Sequence, residues 1–137
     1  MKIFILEDDD NRIALFKKRL IRDGRTVIIA KSVREAIEIA PTHAPYDTIF
    51  LDHDLAPEHY EDFDPSVQIG EVSERTPDGY DFAKWLVLNV NMVHEGTQIV
   101  VHSLNPNGSE NMIREINCSN LGPFAIRVPF TRLKEIL

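Results

Sequence analysis

The segment Lys2–Leu6 is a short, continuous apolar run rather than an alternating one. A strand with apolar side chains on successive residues is buried on both faces, the condition of a strand inside a covered parallel sheet. The same kind of run recurs at Thr26–Ala30, Thr48–Leu51, Gln98–Val101 and Phe124–Val128. Between the runs the apolar spacing changes to that of a helix. Ile13, Phe16 and Leu20 follow a cap at Asp9 or Asp10, and Gly24 supplies a stop. Ser32 and Glu35 read as a capping box before Val33, Ala36, Ile37 and Ala40, and Pro41 and Pro45 are expected to break that helix. Thr76-Pro77 is expected to open a helix carrying Phe82, Trp85, Leu86 and Val90. Asn107–Ser109 begins one carrying Met112, Ile113 and Ile116, and Thr131 caps a last short helix with Leu133 and Ile136. Strand–helix alternation repeated five times predicts an α/β fold. Its sheet has five parallel strands between two helical layers, a three-layer sandwich with right-handed crossovers.

The 137 residues suit one domain, and no internal repeat or linker divides them. The stretch Ala56–Arg75 is rich in acids, lacks periodicity and is too long for an ordinary βα loop. It reads as a lid or as a disordered insertion, the lid being favoured because long loops in compact domains are usually functional; as a lid, its His59, Tyr60, Glu58, Glu61, Asp62 and Asp64 could close over a ligand.

A net charge of −7 opposes the phosphate backbone, so binding of duplex nucleic acid is not expected. A small phosphorylated ligand remains open if a divalent cation bridges it to the acids. The lone Cys118 forms no internal disulfide. The apolar start is too short for a secretory signal and no run is long enough to span a bilayer, so the expected location is the cytoplasm and no membrane is involved. Oligomeric state has no signature.

Ligands of open parallel sheets sit beyond the carboxyl ends of the strands. Here the first run ends in Glu7-Asp8-Asp9-Asp10, the third in Asp52-His53-Asp54 and the fourth in His102-Ser103, continuing to Asn105. Three strand ends thus deliver acids and imidazoles to one rim. Converging carboxylates share a proton or hold a cation, and an oxygen-rich set of Glu7, Asp8 and Asp52 suits Mg²⁺ or Mn²⁺. The competing reading is that these acids are helix caps and solvated loop residues. His53 and His102 form the minimal kit for acid–base cleavage of a phosphodiester, one taking a proton from water and the other giving one to the leaving oxygen. Asp54 would orient an imidazole. Ser103 and Asn105 can donate hydrogen bonds to phosphate oxygens, and Gly108 leaves room for close backbone approach. A Ser103 nucleophile lacks the elbow motif such chemistry uses.

Several of these segments resemble response-regulator receiver domains. KIFILEDD resembles their opening strand, whose acidic pair binds Mg²⁺ and would here be Glu7 and Asp8. TIFLDHDL resembles their third strand, with Asp52 at the phosphoacceptor position; PDGYDFAKWL resembles the opening of their third helix, and RVPF their closing Lys-Pro-Phe. The resemblance implies a flavodoxin-like strand order of 2-1-3-4-5 and a cis peptide at Val128-Pro129. Two departures argue against ordinary phosphorelay: His102 stands where receivers carry Thr or Ser, and Val128 where they carry Lys, with Arg127 expected to face the other way.

LDHDL followed by VHSLNPNG is similar to the cyclic-phosphate processing receiver domains, which add histidines to the receiver scaffold and are associated with nucleotides bearing cyclic phosphates, often in phage. The resemblance implies a core of Asp52, His53, Asp54 and His102, with Ser103 and Asn105 in the same motif. The expected activity is a metal-assisted phosphoesterase acting on a small cyclic phosphate such as a 2′,3′-cyclic nucleotide. The alternatives are a non-catalytic module that senses a nucleotide or binds a protein, and a receiver phosphorylated on Asp52.

Overall fold

The computed structural model describes residues 1–21, 24–55, 77–133, 135 and 137. The proposed lid at 56–75, together with Thr76 and Ile136, lies outside the described residues. Strand β1 (Lys2–Leu6) is followed by α1 (Asp10–Leu20), β2 (Thr26–Ala30), α2 (Val33–His43) and β3 (Tyr46–Leu51). Then come α3 (Gly79–Val87), a 3₁₀ turn (Val90–Met92), β4 (Val93–Val101), α4 (Pro106–Asn117), β5 (Ala125–Arg127) and α5 (Phe130–Leu133). All pairings are parallel, in the order β2-β1-β3-β4-β5. This is the α/β three-layer arrangement, in receiver order, that the sequence predicts.

The doubly apolar strands explain the layers. Along β1 the period of two sends Ile3 and Ile5 into a cluster with Phe16 and Leu20 of α1 and Leu133 of α5. Phe4 and Leu6 point the other way, into a larger cluster with α2, α3 and α4. Phe4 stacks against Phe82 of α3 at 5.6 Å between centroids, and Phe82 against Trp85 at 5.3 Å. Each fully buried side chain of this size is worth about 1.5–3 kcal/mol of transfer free energy, so the central strand anchors both layers.

The caps set where the helices begin. Asp9 Oδ1 accepts the Arg12 N–H at 2.9 Å. Ser32 caps α2 through Glu35 N, but Glu35 Oε1 accepts from Lys31 N rather than from the Ser32 backbone, so only half of the capping box forms. Asp78, and not Pro77, begins α3: Asp78 and Asp81 form a reciprocal box, and the helix starts at Gly79. The short Asp side chain outcompetes proline there because it satisfies an otherwise orphaned N–H. Pro41 does not end α2, which runs two residues further to His43 and so loses one hydrogen bond of its last turn. The cis peptide among the described residues is Ala44–Pro45, where the resemblance pointed to Val128–Pro129.

Among the described residues no helix is long and apolar enough to cross a membrane.

Candidate functional site

The sheet's hydrogen bonding continues one residue past the strand ends. Glu7 N donates to Ala30 O at 3.0 Å, Asp52 N to Leu6 O at 3.0 Å, His102 N to Leu51 O at 2.9 Å and Val128 N to Val101 O at 3.0 Å. Glu7, Asp52, His102 and Val128 therefore form one row across the sheet. They continue the phase of Ile5, Phe50 and Val100, and so face the α1 and α5 layer.

In that layer the side chains converge. Glu7, Asp52 and His102 are buried and bring one potential ligand atom each to within 4.8 Å of one another. Glu7 Oε2 accepts the Asp8 and Asp9 N–H groups at 2.9 and 3.0 Å. Its Oε1 lies 3.0 Å from His102 Nε2 and 3.2 Å from Arg12 Nε. Every group at hydrogen-bonding distance from this carboxylate can donate, so the ionised Glu7 and the Nε2–H tautomer of His102 are the assignment the geometry satisfies. Asp52 Oδ1 accepts the His53 N–H at 2.9 Å. Asp52 Oδ2 is buried without a hydrogen-bond partner, although Arg12 Nη2 stands 3.7 Å away. That separation is a charge contact, too long for a hydrogen bond. Phe16 and Phe130 flank the His102 ring at 5.3 and 6.3 Å.

This setting moves the ionisations. Burial, and then the charge of Glu7, push the Asp52 carboxyl up to about 7 against the pull of Arg12 and the His53 N–H. Burial also raises Glu7 above its ordinary value, the backbone N–H groups and Arg12 opposing it. The sealed, apolar surroundings of His102 bring it down to about 4, so this imidazole is neutral at pH 7.

His53 occupies a different environment. One residue out of phase with Asp52, it meets α3 and α4 instead of α1 and α5. Its Nδ1 is 2.7 Å from Asp54 Oδ1 and its Nε2 is 3.4 Å from Asp78 Oδ2 at the start of α3. Asn105 caps α4 by accepting Gly108 N at 2.9 Å, and its amide reaches Asp54 at 3.2 Å and His53 Nδ1 at 3.4 Å. Asp54 is held below the usual carboxylate range: partial burial raises it, but the bonds from His53 and Asn105 outweigh that. Two glycines make the room. A Cβ on Gly108 would stand 2.5 Å from the His53 ring, and one on Gly79 would strike the Asp52 carbonyl oxygen.

The sequence-predicted residues thus fall into two groups. Glu7, Asp52 and His102 meet in the inner cluster; His53, Asp54, Asn105 and Gly108 meet around the outer imidazole. Asp8 is buried beside the inner cluster but is not in the ligand group, its backbone N–H rather than its carboxylate meeting Glu7. Ser103 is also buried; its Oγ accepts Asn105 N at 3.1 Å and so builds the turn that sets the α4 cap. Arg127 reaches the Ser103 carbonyl at 3.5 Å, away from the carboxylates, while Val128 packs against the inner layer's core. Sequence reasoning missed Arg12 and Asp78. The signal for Arg12 was its place in the first turn of α1, just after the acidic run; Asp78 carried the signal of a cap.

These features agree with comparisons to known proteins. The protein resembles a phosphorylated cyanobacterial phytochrome response regulator, RcpA, at 18% identity over 98% of this chain and 86% of that one, with a TM-score of 0.63. The Mn²⁺-bound form of response regulator Rcp1 is similar at 14% identity, 98% and 90% coverage and a TM-score of 0.61. A CheY-like receiver domain from Methanospirillum hungatei matches at 16% identity, 98% and 88% coverage and 0.60. At these identities the likeness establishes the receiver fold. Comparison with curated protein sequences gives no match. The family model for the cyclic-phosphate processing receiver domain matches residues 1–117, most of the chain and all residues of the inner cluster and the outer imidazole site, and the chain belongs to that family.

Proposed function

We propose that this protein is a metal-assisted phosphoesterase that opens a small cyclic phosphate, such as a 2′,3′-cyclic nucleotide, to a phosphomonoester. The observation that carries the reading is His53. It is partly exposed, with a carboxylate at each ring nitrogen, Asp54 at 2.7 Å and Asp78 at 3.4 Å, and its backbone N–H joins it to Asp52 of the buried cluster at 2.9 Å. An imidazole held this way is oriented and can carry a proton to a leaving oxygen.

The inner cluster fits a divalent cation on its own chemistry. Asp52 Oδ2 is a buried carboxyl oxygen without a hydrogen-bond partner, facing a second carboxylate. Glu7 and Asp52 would hold Mg²⁺ or Mn²⁺, with Asp8 beside them, and the imidazole in the donor set suits Mn²⁺ at least as well as Mg²⁺. A cation there would polarise the phosphoryl oxygen and lower the pKa of bound water.

The residues divide the remaining work. The reaction adds one water across one P–O bond of the ring. The leaving ribose oxygen takes its proton from His53, and the proton lost by water restores the imidazolium. Asp54 holds the ring at Nδ1, and the Asn105 amide turns from Asp54 to a phosphate oxygen. Gly108 and Ser103 keep the α4 cap in position. His102, sealed and neutral, holds Glu7 rather than serving as the second proton-transfer group.

The test is phosphorus NMR of 2′,3′-cyclic nucleotides incubated with the protein and Mg²⁺ or Mn²⁺, repeated with a chelator. Metal-dependent appearance of a phosphomonoester supports the reading; an unchanged spectrum with all four bases removes it in favour of a nucleotide-sensing module. One observation favours a second reading. Asp52 sits at the end of β3 with a free oxygen, so a receiver phosphorylated there would gain the mass of a phosphoryl group on exposure to a small phosphodonor, and Asp52→Asn would not.

A further inference from the structure

Arg12 is the charged group that neither the fold nor the proposed chemistry requires. It rises from the first turn of α1, where its backbone N–H is fixed by the Asp9 cap at 2.9 Å. Its guanidinium turns inward to the carboxylates, 3.2 Å from Glu7 Oε1 and 3.7 Å from Asp52 Oδ2. Those two residues supply the oxygens of the group able to hold a metal. The guanidinium thus sits where a divalent cation would be attracted, bearing the same sign of charge.

We infer that Arg12 is a tethered counter-cation, which neutralises Glu7 and Asp52 when no metal is bound and is displaced when a divalent cation enters.

Three features support exchange over a permanent bridge. The pairing is incomplete: Arg12 leaves Asp52 Oδ2 without a hydrogen bond although that oxygen is buried. A guanidinium with five donors ordinarily closes such a gap with a bidentate contact. The side chain is 24% exposed, against none for Glu7, so it has a route outward that the acids lack. The face of Phe130 already lies 5.6 Å from the guanidinium carbon, a contact that does not use the carboxylates and that the cation can keep when it leaves them. Two cations competing for one pair of carboxylates are coupled negatively, and the coupling is reciprocal.

The inference concerns the metal-free and metal-bound states of this chain and is independent of turnover. It is tested by calorimetric titration of the protein with Mg²⁺ at pH 8.5 and low ionic strength, without nucleotide. Arg12→Ala is expected to bind Mg²⁺ about tenfold more tightly than the wild type and to melt at a lower temperature when metal-free. Arg12→Lys, which keeps the charge, is expected to stay within about threefold of the wild type. Should Arg12→Ala fail to fold, Arg12→Met retains the apolar stem over Phe130 and carries the same expectation. Equal or weaker Mg²⁺ binding by the neutral variants would overturn the inference and make Arg12 a supporting element of the metal site. Failure of the phosphoesterase reading would leave these affinities unchanged.

Discussion

His102 Nε2 meets Glu7 Oε1 at 3.0 Å with both side chains sealed from solvent, joining residues 95 positions apart across the ends of β1 and β4. The bond ties the first strand to the fourth over the intervening Asp52. It also leaves His102 Nδ1 buried without a partner, so the imidazole is committed to Glu7. His102→Ala would remove a buried donor and open a cavity beside Phe16. It should destabilise the metal-free protein by about 2–4 kcal/mol in urea denaturation. His102→Phe restores volume but not the donor, and should recover only part of the loss. A change under about 0.5 kcal/mol for His102→Ala would mean that Glu7 does not depend on it.

The buried Asp52 and His102 give the metal-free protein opposed pH dependences. Asp52, pushed up to about 7 from 3.8, favours its protonated form when folded; its contribution is whole below pH 3.8 and is lost as pH rises through 7. His102, brought down to about 4 from 6.5, acts in the opposite sense; its contribution is present above pH 6.5 and is lost as pH falls through 4. Between those limits the two slopes oppose each other, and above pH 6.5 the Asp52 slope outlasts that of His102, with the raised Glu7 acting in the same sense as Asp52. Asp52→Asn removes that slope. The metal-free variant should exceed the wild type at pH 8 by about 2–4 kcal/mol, with the gap narrowing toward pH 5. A gap that does not change with pH would show that Asp52 ionises normally.

Metal addition should reverse this ordering. A cation bound by the ionised acids stabilises the wild type by about 2.7 kcal/mol at ~100-fold excess over its dissociation constant, and Asp52→Asn should lose most of that gain. Melting temperatures with Mn²⁺ and with a chelator, at pH 8, measure both terms. An equal shift in the two proteins would remove Asp52 from the metal site.

The two site glycines separate stability from position. Gly108→Ala places a Cβ 2.5 Å from the His53 ring, which must move. The better helix propensity of alanine, up to about 1 kcal/mol, offsets the cost, so the fold should persist while turnover falls about 10–100-fold. Gly79→Ala instead strikes the Asp52 carbonyl and comes within 2.8 Å of the His53 Cα. No rotamer relieves a clash with backbone, and a loss of about 2–3 kcal/mol or more is expected by urea denaturation. Unaltered turnover in Gly108→Ala would show that His53 need not hold its position.

How much of this was legible in the sequence depends on the range of the interaction. Strands β1 and β2 have the bounds their apolar runs predict, because a doubly buried strand advertises itself residue by residue. Strand β4 begins at Val93, earlier than the run at Gln98, since its first residues are mostly exposed and carry no apolar signal. The arrival of Glu7, Asp52 and His102 at one rim followed from strand ends alone. Their division from His53 follows from phase. Glu7, Asp52 and His102 continue the buried face that includes Ile5, Phe50 and Val100, whereas His53 is one residue out of step; counting in twos from the strand core would have separated the imidazoles. Arg12 signalled only its nearness to the acidic run; its pairing with Asp52 was not legible, because Glu7 and Asp52 meet only when β1 and β3 pair across 45 residues of sequence. Asp78 likewise reaches His53 only through tertiary packing.

The account stands most directly on whether His53 moves a proton in the cleavage of a cyclic phosphate. Phosphorus NMR of a 2′,3′-cyclic nucleotide with saturating Mn²⁺, run on the wild type and on His53→Ala at matched folded concentration, measures this in one experiment. The account predicts phosphomonoester formation by the wild type and a rate about 10²–10⁴-fold lower for His53→Ala. Equal rates for the two proteins, or no product from either, would contradict it.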